Sequence, residues 1–178
     1  GPSEIVLAPP PDLQVTDVAT IPQFGSTPAG QQITVEWKVI NNGLLATDEG
    51  SWFDQVYLSE DTTIDTDDLL LGTSRFVGDL VAYDGTNIEE AGYTRTLDVT
   101  LPIDAIGKVP VGDLDGGAAE RFLMVETDSN FDVDESGFED NNQNSETINI
   151  TPSLTPDLEA EHVSGPGTIV AGEPFSET

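Results

Sequence analysis

Strict alternation in ITVEWKV sets Ile33, Val35, Trp37 and Val39 on one side and Thr34, Glu36 and Lys38 on the other, and it restricts this chain more than any other stretch. A period of two belongs to a β-strand with one face on a core, and a helix cannot satisfy it. Trp37 is thereby expected in the core. Shorter runs of the same kind begin at Leu13 and Val15 and recur over Val56 to Ser59, Leu69 to Phe76, Thr94 to Leu101, Phe122 to Glu126 and Thr147 to Ile150. Clusters of Gly, Pro, Asn and Asp separate them, as turns between short strands require. About seven such strands predict an all-β fold, an immunoglobulin-like antiparallel β-sandwich. The paired cysteine of antibody domains is missing, since the chain has no cysteine.

A β-rich chain without disulfides must be held by its core or by metal ions. Here 34 acids stand against 5 bases, for a net charge of -29, which points toward metal. Solubility in salt water is the plainer account of the charge, and the two can hold together. Phosphate backbones and anionic lipid surfaces are repelled, so neither nucleic acid nor direct membrane insertion is expected. No apolar run reaches the length of a membrane span, and no signal peptide is visible.

Acidity is densest in DSNFDVDESGFEDNN, Asp128 to Asn142, between two strand-like runs. Six carboxylates fall within thirteen residues there, with no Lys or Arg to offset them. Asp128, Asn130, Asp132, Asp134, Glu135 and Glu139 offer oxygen ligands at nearly every second position, as suits a hard cation that takes about six to eight oxygens. Ca2+ is the natural candidate, and Glu139 the leading single ligand. An EF-hand wind is excluded because its sixth position needs Gly for a sharp turn, and Val133 stands there. The stretch is a loop between strands, in which Asn141 and Asn142 can also serve as turn residues.

A second acidic cluster, Asp61, Asp65, Asp67 and Asp68, also lies between two strands. It reads either as a further calcium loop or as a polar turn in which Asp side chains bond nearby amides. Asp113 and Asp115, ahead of Gly116-Gly117, pose the same choice. Catalysis finds little support. The single histidine, His162, cannot belong to a triad in the complete unit, and no cysteine nucleophile exists. Paired carboxylates of the glycosidase kind are formally present, without any sign of an apolar pocket. Lys38 could supply the amine of an internal isopeptide bond, but the alternation turns it outward. The chain is therefore expected not to be an enzyme.

The chain also repeats itself. SEIVLAPPPDL, Ser3 to Leu13, corresponds to TINITPSLTPDL, Thr147 to Leu158, in a strand, a Pro-marked linker and a Pro-Asp-Leu restart. Residues 1 to 10 read as a protease remnant, Gly1-Pro2-Ser3, with the last strand of a preceding copy. Residues 11 to 151 form the complete copy, and residues 152 to 178 a linker with the truncated opening of the next. So long a period implies a string of whole domains in tandem, with neighbouring repeats as partners.

Taken in order, PDLQVTDV, ITVEWKVINNG, FDQVYLSEDTTIDTDDLLLG, GYTRTLDVTLP and ETDSNFDVDESGFEDNN resemble the CARDB domain, the cell-adhesion-related repeat of bacteria. By motif, Asp54, Leu58, Ser59, Asp61 and Asp68 match its first element, and Glu135, Glu139, Asn141 and Asn142 its last. The resemblance implies an immunoglobulin-like sandwich in large secreted or surface-anchored proteins, usually in tandem. The chain departs from it by extra residues at Ala82 to Ala91 and Gly107 to Ala119. The reading that follows is a calcium-stabilised extender repeat of a long extracellular or cell-surface protein, an adhesin. Two alternatives stand beside it. One is a module binding a polysaccharide or protein partner through these insertions, with Tyr83 and Trp52 as stacking candidates, although Trp52 also reads as core. The other is an accessory domain of a secreted hydrolase.

Overall fold

The computed structural model describes residues 9 to 23, 25 to 103, 105 and 118 to 153, and strands form where the alternation places them. In chain order these are β1 (Leu13–Ile21), β2 (Thr27–Pro28), β3 (Gln32–Asn41), β4 (Ser51–Ser59), β5 (Leu69–Val77), β6 (Gly92–Thr100), β7 (Ala119–Glu126) and β8 (Gln143–Thr151). A single helical turn, α1 (Ile88–Ala91), precedes β6, and a 3-10 turn, Glu139–Asn141, precedes β8. One sheet has the order β1-β3-β6 and the other β2-β8-β7-β4-β5. The two sheets enclose one core, which is the expected all-β sandwich. Among the described residues no helix is long and apolar enough to cross a membrane.

The structure extends what the alternation marks. β4 starts at Ser51, ahead of Val56, because its antiparallel pairing with β5 runs on through Ser51↔Val77. β2 is too short to carry a pattern, and it adds to the edge of β8 in parallel through Thr27↔Ile150 and Pro28↔Thr151. The expected closing strand at Glu4 to Ala8 lies outside the described residues. So do most of the Gly107 to Ala119 insertion, with Asp113 and Asp115, and the restart at Asp157 to Thr178 with His162.

Val35, Trp37 and Val39 of β3 join Trp52, Val56 and Leu58 of β4 and Leu123 and Val125 of β7 in the core. Trp52 is fully buried, with its ring 4.4 Å from that of Phe76, so it is a packing residue and not a free stacking platform. Phe76 in turn stacks on Tyr93 at 4.2 Å, and the Arg95 guanidinium lies 5.4 Å from both rings.

One member of the inward row of β4 is charged. Asp54 is completely buried between Trp52 and Val56. A buried carboxylate is tolerable only when its oxygens are met by donors, and three side chains supply them. Trp37 Nε1 donates to Oδ2 at 2.8 Å, Thr127 Oγ1 to Oδ1 at 2.8 Å, and the Tyr93 hydroxyl reaches both oxygens at 2.8 and 2.9 Å. Burial raises the Asp54 pKa, while the bonds from Trp37, Thr127 and Tyr93 and the charge of Arg95 oppose the rise. The Tyr93 hydroxyl is pushed well above its ordinary value by burial and by the charge of Asp54. Strands β3, β4 and β6 and the end of β7 thus meet at one side chain.

Removing Asp54 strands the buried Trp37 Nε1 and takes the acceptor from Thr127 and Tyr93, which keep only each other as acceptors at 3.1 Å, and each donor left unpaired costs about 1–3 kcal/mol. Asp54→Ala should lower the unfolding free energy by about 2–4 kcal/mol in urea titrations. A loss below about 1 kcal/mol would mean that the donors find water or other acceptors.

Candidate metal centre

The acidic loop begins where the buried Asp54 network ends. Thr127, whose hydroxyl reaches Asp54, is followed by Asp128, and the Thr127 amide donates to the Asn142 carbonyl at 2.9 Å, closing the loop at its base. Ser129 is tied to β4 by its amide, 2.9 Å from the Phe53 carbonyl. Between these ties the backbone turns hard. Asp128, Phe131 and Ser136 take φ of 49°, 57° and 49°, and Gly137 takes 106°. Left-handed backbone is uncommon for residues other than Gly and costs about 1–3 kcal/mol where the side chain resists it. Val133 does not share it. Its side chain is buried in the core, so the residue that excludes an EF-hand wind is the pin that holds the loop down.

These turns bring carboxylates together. One oxygen from each of Asp128, Glu135 and Glu139 lies within 4.8 Å of the others. Asp128 and Glu135 are almost wholly shielded, at 1 % and 0 % exposure, and Glu139 is half-buried. Like charges about 4 Å apart repel by about 4 kcal/mol at an effective dielectric of about 20, so three together need neutralising. The proton affinities register this. Burial first, with the neighbouring carboxylates adding, pushes Asp128 up to about 6 and Glu135 to about 7, although amide donors act against the rise. Glu139 moves the same way for the same leading cause.

Part of each carboxylate is already engaged. Asp128 accepts the amides of Asp132 and Val133, both at 2.9 Å. Glu135 accepts the Leu13 amide at 2.7 Å and Asn142 Nδ2 at 2.8 Å, and the same Nδ2 stands 3.3 Å from Glu139. Asn142 is 4 % exposed, and its Oδ1 has no hydrogen-bond partner. A buried amide oxygen without a donor calls for an explanation. Turning that amide over would put Oδ1 against Glu135 and Glu139, a placement that a cation between them, or a proton on one of them, makes favourable. The assembled donors are all hard oxygens. They fit a cation of the calcium, magnesium or manganese kind, and not zinc or copper in a nitrogen or sulfur site.

The other residues singled out by sequence lie differently. Asn130, Asp132 and Asp134 are exposed, and Asp134 Oδ1 accepts the amide and hydroxyl of Ser136 in a local turn. Asp61 accepts the Thr63 amide at 2.8 Å, Asp65 the Asp67 amide at 2.8 Å, and Asp68 the Asp65 amide at 2.9 Å. Each is engaged in its own turn. The structure does not gather Asp61, Asp65, Asp67 and Asp68 around a common point as it does Asp128, Glu135 and Glu139. Lys38 faces outward, 3.2 Å from Asp17. Asn142, noted in the sequence for a turn and a motif, emerges as the polar neighbour of two carboxylates.

No protein-family model matches the chain, and no curated protein matches it. Solved structures do. A crystal structure of a CARDB domain from Pyrococcus furiosus, in complex with di-metal ions, is similar over 83% of this chain and 94% of that one, at 15% identity and a TM-score of 0.50. A solution structure of a CARDB domain from that organism covers 79% of this chain and 94% of its own at 15% identity, with a TM-score of 0.46. A β-glucosidase from Thermotoga neapolitana, bound to glucose, matches 82% of this chain but only 17% of its own length, at 13% identity and a TM-score of 0.41. The described part of this chain has the fold of a CARDB domain.

Proposed function

We propose that this is a calcium-stabilised structural repeat, an extender domain of a long extracellular bacterial protein of the adhesive kind. The observation that carries the proposal is the meeting of Asp128, Glu135 and Glu139 around a buried Asn142, whose amide nitrogen faces two of them and whose oxygen is left without a partner in this orientation. The di-metal ions of the Pyrococcus furiosus domain, which shares the fold, support it. Calcium suits the site better than magnesium, because the ligands sit on a loop and on amides and do not form a rigid octahedron. In this reading the ion supplies what a disulfide supplies elsewhere. It holds a loop closed by neutralising charge that the fold has drawn together, and the domain serves as a rigid spacer with no chemistry of its own.

A binding-module reading has one observation on its side. α1, part of the Ala82 to Ala91 insertion, forms one wall of a groove of about 510 Å³ with Lys38, Val39, Tyr93 and Thr94, where Ile88 is half exposed. Tyr83, the expected stacking residue, is not among its walls, which weakens that reading.

Ten millimolar Ca2+ is about a hundred times the dissociation constant of a good extracellular calcium site, and at that ratio binding adds about 2.7 kcal/mol. The melting temperature should therefore rise by about 5–10 °C over that in EDTA at equal ionic strength. Glu139→Gln should remove most of this rise and leave the melt in EDTA nearly unmoved, since Glu139 is the least buried of the three. An unchanged melt with calcium would end the proposal.

The pH dependence has a definite sign. Asp128 and Glu135 hold protons more tightly when folded, so in EDTA their contribution is fully present below the ordinary carboxylate range. It is lost as pH rises through about 6 and about 7. Denaturant titrations in EDTA should show stability falling from pH 5 to pH 7.5, and saturating calcium should flatten or reverse the slope, because the ion takes the place of the protons. Equal slopes with and without calcium would contradict the assignment of the ion to these groups.

A further inference from the structure

We infer that the same centre is a clamp on the incoming chain, so that a cation at Asp128, Glu135 and Glu139 fixes the direction in which Pro9–Pro11 leave the sandwich. The inference rests on the calcium reading above and adds a consequence to it. Pro10 to Leu13 run between two walls. The first is the turn after β3, where the Asn42 amide donates to the Asp12 carbonyl at 2.7 Å and the Leu44 amide reaches the Pro10 carbonyl at 3.4 Å. The Asp12 amide bonds Asn41 Oδ1 at 3.0 Å, and a Cβ on Gly43 would stand 2.2 Å from the Pro10 carbonyl oxygen. Nothing in this wall depends on a metal.

The second wall is the acidic loop itself. The Leu13 amide, first of β1, donates to Glu135 Oε2 at 2.7 Å, and Asn141 Nδ2 donates to Asp12 Oδ1 at 2.8 Å. Glu135 is one of the three gathered carboxylates, and Asn141 shares its 3-10 turn with Glu139. A cation that holds Glu135 in place therefore holds the acceptor of Leu13. Without it Glu135 faces Asp128 and Glu139 unneutralised and is free to withdraw from the cluster, loosening this wall while the first stays. The direction set at Asp12 and Leu13 is carried outward by three consecutive prolines, whose fixed φ makes a stiff lever. Coupling runs both ways, so ordering this segment should also tighten calcium binding.

The chain has no native cysteine, so two nitroxide labels can be placed cleanly in the intact protein, at Ala8→Cys, just ahead of the three prolines, and at Thr96→Cys, which is exposed. Electron-electron double resonance with Ca2+ and with EDTA then reads the spread of their separation, while calorimetry on the unlabelled chain reads calcium binding. Amide exchange reports the clamp directly. Leu13 should slow with calcium by about fivefold or more relative to Asn42, which belongs to the metal-independent wall. The expected result is calcium binding, a narrower distance distribution and this selective slowing. Asn141→Ala, which keeps all three carboxylates, should still bind calcium but narrow less. Calcium binding with an unchanged distribution and equal slowing of Leu13 and Asn42 would overturn the clamp and leave the calcium reading standing. No calcium binding at all would overturn both.

Discussion

Three carboxylates that cannot share a small, shielded space without a counter-charge set the conditions for the rest of this domain. Asp128, Glu135 and Glu139 come from one loop, yet their positions are fixed by parts of the chain far apart in sequence. Asp128 is placed by Thr127 and the tie to Phe53, Glu135 by the first amide of β1, and Glu139 by the turn leading into β8. The loop accepts left-handed backbone at Asp128, Phe131 and Ser136 to bring them in. Conformational cost and charge repulsion concentrate at the same place, as happens where a bound group does the stabilising. In the proposed function a cation would resolve the repulsion, and the Asn142 amide, turned over, would offer it the oxygen that now lacks a partner.

Asp54 connects this loop to the core. It takes donors from Trp37 on β3, Tyr93 on β6 and Thr127 at the end of β7, so both sheets and the root of the acidic loop share one buried group. Apolar packing alone would leave the sheets freer to slide, because a hydrophobic face has no preferred register. Three directed bonds to one carboxylate fix it. The same group thus makes the sandwich specific and delivers Asp128 to the candidate metal centre with little freedom.

Much of this was legible in the sequence, for a physical reason. Alternation reports burial on one face, so the longer strands and the burial of Trp37 could be read from period two, and the acidic loop from charge without counter-charge. What could not be read depends on partners. Asp54 occupies the inward register of Trp52, Val56 and Leu58, a signal present in the sequence, but only the fold shows Trp37, Tyr93 and Thr127 converging on it. Evenly spaced oxygens suggested Asn130, Asp132 and Asp134 as ligands beside Asp128, Glu135 and Glu139. The left-handed turns break that spacing and send the first three to solvent. Asp61, Asp65, Asp67 and Asp68 have the same composition, yet the carboxylates of Asp61, Asp65 and Asp68 each accept an amide two or three positions away, and Asp67 gives its own amide to Asp65. Composition marks both loops equally, and backbone geometry separates them. β2 carried no pattern because two residues cannot.

The central claim is that a cation occupies the space between Asp128, Glu135 and Glu139, and diffraction can see it directly. Crystals grown with calcium, measured at a wavelength where calcium scatters anomalously, should show a peak about 2.3–2.6 Å from oxygens of all three carboxylates, with the Asn142 amide turned to present its oxygen. An anomalous map empty at that point, with Asn142 Nδ2 still donating to Glu135 and Glu139, would contradict it.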